Sequence, residues 1–210
     1  MVEQRLWVKR IDTSPLESAI LYSFFPEGKE RMIKEIMERT NYSYERINSA
    51  LKSLTKKRII KEQKKGKTLL YTLDMYNINA ELGFGNYMIT KELAFREKHK
   101  ILEKAIKELI TESFKSPFIQ IAILFGSYSK GIESKQSDID LMLVSDKKQE
   151  AERIVKSLRH KYNLKFAPVI INYLEFPKIR KDNPELWNDL KMYGIVFKGE
   201  DSFYYWMYNA

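Results

Sequence analysis

Apolar residues recur at helical spacing in the first third of the chain and gather into unbroken runs in the last. Leu16, Ile20 and Leu21 share one face behind Ser14-Pro15, a good helix start with proline in the first turn. Met32, Ile33, Ile36 and Met37 mark a second helix, predicted from Lys29 to Arg39. A third follows Asn41-Tyr42, with Ser43 as N-cap and Ile47, Leu51 and Leu54 as its buried stripe. Two β-like segments, Arg58–Gln63 and Thr68–Leu73, then flank the turn Lys64-Lys65-Gly66-Lys67.

Residues 77–117 read as a linker dominated by one long helix, Met88 to Phe114. Its stripe is Leu93, Ile101, Ala105, Ile106, Leu109 and Ile110, and Gly83 and Gly85 before it suggest a hinge. Beyond it, strand and helix alternate. Strands are predicted at Phe118–Phe125, Ile139–Val144, Pro168–Asn172 and Ile195–Lys198, with helices at Lys147–Tyr162 and Pro184–Met192. That order means helices packed on a sheet. The class is therefore α+β in two domains, residues 1–76 and 118–210, joined by the linker 77–117.

Composition narrows the setting. An apolar fraction of 44% in 210 residues supports two small cores. The chain has no cysteine, which excludes disulfides and thiolate metal sites and makes a reducing, cytoplasmic interior the expected home. Met1 to Phe25 lacks the order of a secretory signal, and no apolar run reaches the ~20 residues that span a bilayer, so no membrane partner is expected. The net charge of +9 favours polyanions. Lys52 to Lys67 holds eight Lys/Arg against one acid, Glu62: either a solvated lysine face or a surface that meets phosphates.

The chemistry is concentrated in two short stretches. The apolar run Ile121–Phe125 ends in Gly126-Ser127, and ten residues further on Asp138-Ile139-Asp140 opens a second apolar run. A glycine lets backbone approach a phosphate, and the following amides and the Ser127 hydroxyl can donate to its oxygens. Residues two apart on a strand face one side, so Asp138 and Asp140 offer two carboxylates to one place. Such a pair suits Mg²⁺, or Mn²⁺, shared with substrate phosphates. Lys130 stands where its ammonium can neutralise a triphosphate or simply be solvated.

In this motif the chain resembles the nucleotidyltransferase superfamily that includes DNA polymerase β and the small prokaryotic minimal nucleotidyltransferases. The resemblance covers about residues 118–200, including the closing Gly194–Gly199. It implies a domain that binds a nucleoside triphosphate with Mg²⁺ and moves a nucleoside monophosphate onto a hydroxyl, with Asp138 and Asp140 catalytic and Gly126, Ser127 and Lys130 holding the nucleotide. The spacing also matches antitoxin members, which transfer AMP to a partner toxin; this makes ATP the donor to expect and a protein one candidate acceptor. One departure stands out. Many active relatives carry a third carboxylate on a later strand, at a position that aligns near Pro168. Phe166–Asn172 has none, and Glu175 lies just beyond.

The N-terminal pattern of three helices and a hairpin is similar to winged-helix transcription regulators over about residues 13–76. That resemblance implies a DNA partner, with Tyr44, Glu45, Asn48, Ser49 and Lys52 facing the major groove and Lys64, Lys65 and Lys67 at the wing. The expected function is a nucleotidyltransferase coupled to a DNA-binding module. The alternative is a transcription regulator whose degenerate transferase domain only binds nucleotide or a protein partner. The long helix either covers the sheet in cis or pairs with its twin in a homodimer. The aromatic run Phe203–Trp206 is expected to pack on the core. His99 and His160, without metal-ligand spacing, are given no role.

Overall fold

The computed structural model describes residues 13–115 and 118–209. The chain forms two compact units that divide between Phe84 and Gly85.

The N-terminal unit contains α1 (Pro15–Ser23), β1 (Arg31–Met32), α2 (Ile33–Thr40), α3 (Tyr44–Lys56), β2 (Ile60–Lys65) and β3 (Thr68–Leu73). Ser14 caps α1 reciprocally with Glu17: the Glu17 amide donates to Ser14 Oγ at 3.2 Å, and the Ser14 amide to Glu17 Oε2 at 2.8 Å. The strands form an antiparallel sheet in the order β1-β3-β2. Lys65 pairs with Thr68, so Gly66 and Lys67 alone make the turn, with Gly66 at φ +61°. The predicted stripe of α3 is buried throughout: Ile47, Leu51 and Leu54 are at most 1% exposed. Burying each is worth roughly 1.5–3 kcal/mol.

The second helix starts later than its periodicity suggests. Arg31 and Met32 pair with Tyr71 and Leu70 of β3, and the Glu35 carboxylate accepts from the Met32 amide at 2.7 Å. Sheet pairing thus takes two residues that the apolar spacing had assigned to the helix.

α4 (Ile78–Lys98) begins in the N-terminal unit and runs on into the C-terminal one. The latter continues with α5 (Lys100–Lys115), β4 (Ile119–Phe125), α6 (Gly126–Lys130), β5 (Ile139–Ser145), α7 (Lys148–Tyr162) and β6 (Phe166–Ile171). A 3₁₀ turn (Phe176–Lys178), α8 (Ile179–Asp182), α9 (Pro184–Tyr193), β7 (Ile195–Lys198) and α10 (Glu200–Tyr208) complete it. The sheet order is β6-β5-β4-β7; β5 and β6 are parallel and the other pairs antiparallel. Fully buried β4 and β5 side chains on one sheet face meet Leu102, Ala105, Ile106 and Leu109 of α5 and Ala151, Val155 and Leu158 of α7.

The single helix expected from Met88 to Phe114 is two helices that meet at His99. Only the second part of its stripe faces the core: Ala105, Ile106 and Leu109 are buried, while Leu93 and Ile101 are 57% and 61% exposed. Gly83 and Gly85 lie inside α4 rather than at a hinge before it. At Gly83 an added Cβ would stand 3.6 Å from the Leu21 side chain. The last strand of the parallel pair opens at Phe166, two residues before Pro168. The C-terminal aromatic run forms α10; Phe203 and Tyr204 are buried as expected, whereas Tyr205 is 50% exposed. Among the described residues no helix is long and apolar enough to cross a membrane.

Candidate active site

β4 ends at Phe125, which pairs with Asp140 near the start of β5. Antiparallel pairing therefore brings the Gly126 turn and the aspartates together. Gly126 adopts φ +70°, and a Cβ built on it would lie 2.8 Å from Asp140 Cγ and closer still to Oδ2. The absent side chain is the space that the Asp140 carboxylate fills. A second glycine, Gly131 at φ +71°, ends α6, and Ser129 Oγ donates to the Gly126 carbonyl at 3.0 Å. The Ser127 hydroxyl makes no hydrogen bond to the described residues, so it is free to donate to a ligand.

Asp140 is half-buried, and Asp138, just before β5, is exposed. Burial pushes the Asp140 carboxyl above its usual range, and the charges of Asp138 and Asp189 push it further, against the pull of Lys130. Two carboxylates held this close cost electrostatic energy unless a cation joins them. Among the described residues no three His, Cys, Asp or Glu side chains cluster to hold an ion. A pair of oxygen ligands completed by substrate phosphates and water nevertheless fits Mg²⁺, which rarely takes an all-protein cage.

The remaining predicted site residues fall as follows. Lys130 reaches Asp189 of α9 at 2.5 Å and lies 5.1 Å over the Tyr193 ring, so its ammonium is already paired. On β6 the parallel register sets Ala167 beside Asp140 and Pro168 beside Leu141. Residues in register share a face, so the strand position next to the aspartates is Ala167, not Pro168, and it carries no carboxylate. Glu175 is occupied locally: it accepts from the Asn172 amide at 2.9 Å, and its own amide donates to Asn172 Oδ1 at 2.9 Å.

Three contributors had no signal in the sequence. Asp189 approaches from a helix some fifty residues away. His99 meets the Phe95 ring at a tilt and the Tyr128 ring of α6 edge-on, with centroids at 4.8 and 5.4 Å, and lies 3.5 Å from Glu133. Lys91 donates to the carbonyls of Tyr193 and Gly194 at 3.0 and 2.9 Å, and burial lowers its pKa to about 8. Lys91, His99, Tyr128 and Lys130 share a cleft of about 280 Å³ beside α6.

In the N-terminal unit Tyr44 is 50% exposed, Ser49 and Lys52 are exposed and Asn48 is half-buried. Glu45 and Ser49 open onto a cleft of about 550 Å³ between α3 and the start of α1. Lys64, Lys65 and Lys67 are all exposed on the hairpin, but Lys65 is paired with Glu30 at 2.7 Å.

Neither the curated proteins nor the solved structures compared with this chain give a match. The family models do: residues 104–186, which hold α6, both aspartates and the parallel β5–β6 pair, match the family described as Polymerase beta, Nucleotidyltransferase.

Proposed function

We propose that the C-terminal unit is a Mg²⁺-dependent nucleotidyltransferase that moves a nucleoside monophosphate, AMP from ATP in the first instance, onto a hydroxyl. The observation that carries this is the seat at Gly126, where the missing Cβ leaves room for the Asp140 carboxylate within a family-matched segment. Asp138 and Asp140 would hold the cation, and the Ser127 hydroxyl and the α6 turn would receive the phosphates. A bound Mg²⁺ would neutralise the phosphate oxygens and polarise the attacking hydroxyl. The hydroxyl oxygen bonds to the α-phosphorus as its proton passes to water, the α–β bridging P–O bond breaks, and pyrophosphate leaves. Pyrophosphate release from NTPs with Mg²⁺ or Mn²⁺, assayed with DNA, RNA and protein acceptors, is expected in the wild type and lost in Asp140→Asn. Silence with every NTP and acceptor contradicts transfer.

The N-terminal unit is the DNA-binding part on this reading, a winged helix with α3 as its groove element and the β2–β3 hairpin as its wing. Support comes from the exposed Tyr44, Ser49 and Lys52 and from the exposed wing lysines Lys64 and Lys67. The double variant Lys64→Ala/Lys67→Ala should weaken DNA binding and reduce the slope of log K against log salt by about 2, one phosphate contact per lysine. Unchanged affinity and slope would contradict it.

A second reading is favoured by one observation, the apolar Ala167 in register with Asp140. Without a third acid the unit would sense nucleotide rather than turn it over. This predicts DNA affinity that changes with ATP and Mg²⁺ while no pyrophosphate appears.

A further inference from the structure

Asp189 is an acid that the site's sequence motif does not account for. Its Oδ1 lies 2.5 Å from Lys130 Nζ, and both charges reach Asp140. Asp140 therefore feels two other carboxylates, Asp138 and Asp189, against one ammonium. An added acid at this place opposes the approach of any anion. Stability gives little reason for it, because a Lys–Asp pair whose side chains keep 31% and 22% of their exposure is largely screened by water.

The two partners differ in freedom. Asp189 rides on α9, which is anchored at both ends. Asn183 Oδ1 accepts from the Leu186 amide at 3.0 Å, and Trp187 and Leu190 are buried. At the far end a Cβ on Gly194 would strike the Leu190 carbonyl and stand 3.1 Å from the Ile123 side chain of β4. Lys91 also donates there, to the carbonyls of Tyr193 and Gly194. Asp189 and Tyr193, four residues apart on one face of α9, both meet Lys130. Lys130, by contrast, is the last residue of α6 and carries its ammonium on a flexible four-carbon stem. The lysine is thus the partner that can move. Its stem starts from the same short helix that begins with Gly126 and Ser127.

We propose that Asp189 is a positioning residue that competes with substrate phosphate for the Lys130 ammonium. The carboxylate holds the ammonium before nucleotide enters, a phosphate oxygen takes it on binding, and Asp189 reclaims it as pyrophosphate leaves. Asp189 thereby weakens the hold on triphosphate and on the pyrophosphate product, and it acts through Lys130. This rests on the transferase reading of the C-terminal unit.

The test is a double-mutant cycle on the full chain, read by calorimetric titration of inorganic triphosphate with Mg²⁺. Asp189→Asn should bind about fivefold more tightly than wild type, the sign opposite to that of a merely structural loss. Asp189→Ala, a second variant without the charge, should do the same. Lys130→Ala should bind more weakly, and Lys130→Ala/Asp189→Asn should match Lys130→Ala within about twofold. Unchanged or weaker binding by both Asp189 variants overturns the proposal. So does tightening that persists undiminished without Lys130, which plain removal of a negative charge would give, and so does a lack of binding by all these proteins. The transferase reading fails by a different result, a triphosphate affinity that Asp140→Asn leaves unchanged; the cycle on Asp189 and Lys130 then still decides this proposal.

Discussion

Gly126→Ala is expected to destabilise the C-terminal unit by on the order of 3 kcal/mol and to abolish nucleotide binding. Two costs combine. At φ +70° any Cβ is strained, typically by 1–2 kcal/mol. The new methyl would also stand 2.8 Å from Asp140 Cγ, so the carboxylate must leave its seat. Gly66→Ala separates the terms, because Gly66 shares the backbone strain at φ +61° and has nothing within 4 Å of an added Cβ. Denaturant unfolding should show about 1 kcal/mol for Gly66→Ala and clearly more for Gly126→Ala. Truncating Asp140 to Ala in the Gly126→Ala background should recover part of the stability and none of the binding. Equal losses at the two glycines would show that Asp140 does not depend on the Gly126 vacancy.

Asp140→Asn is expected to stabilise the metal-free protein at pH 7 while removing its metal-nucleotide site. Burial, Asp138 and Asp189 raise the folded-state pKa of Asp140 above its unfolded value. Below the unfolded value, about 4, the group is protonated in both states and costs nothing. As pH rises through the folded value, the ionised carboxylate opposes folding, and the penalty persists at neutral pH. Asparagine escapes it. The melting transition of the C-terminal unit should therefore rise by about 2–4 °C at pH 7, and the difference should fade below about pH 4. By the same linkage, protons compete with the cation, so metal affinity in the wild type should fall on acidification at a higher pH than an ordinary aspartate would set. A variant less stable than wild type at pH 7 would contradict this account of the site.

The parts of this design that are local in sequence could be read from it. Gly126-Ser127 and Asp138-x-Asp140 each occupy adjacent or alternate residues, and the apolar runs beside them fix the pairing that joins the two. The core stripe of α3 and the Gly66 turn were legible for the same reason. What the pattern hid depends on tertiary contact. The bend at His99 lies between two segments of equal helical period, so periodicity carries no mark of it. Arg31 and Met32 leave the helix only because β3 is there to pair with them. The pairing of Lys130 with Asp189 joins residues far apart in sequence, and spacing carries no sign of it. The β6 register sets Ala167 rather than Pro168 beside Asp140, a difference of one residue that sequence spacing alone cannot resolve.

Calorimetric titration of ATP with Mg²⁺ into the wild type and Asp140→Asn bears most directly on the central claim, that the Gly126 turn and the aspartates form a metal-nucleotide site. Saturable binding in the wild type that is lost in a folded Asp140→Asn protein is the predicted result. Equal heats in both proteins, or none in the wild type with any of the four NTPs, would contradict it.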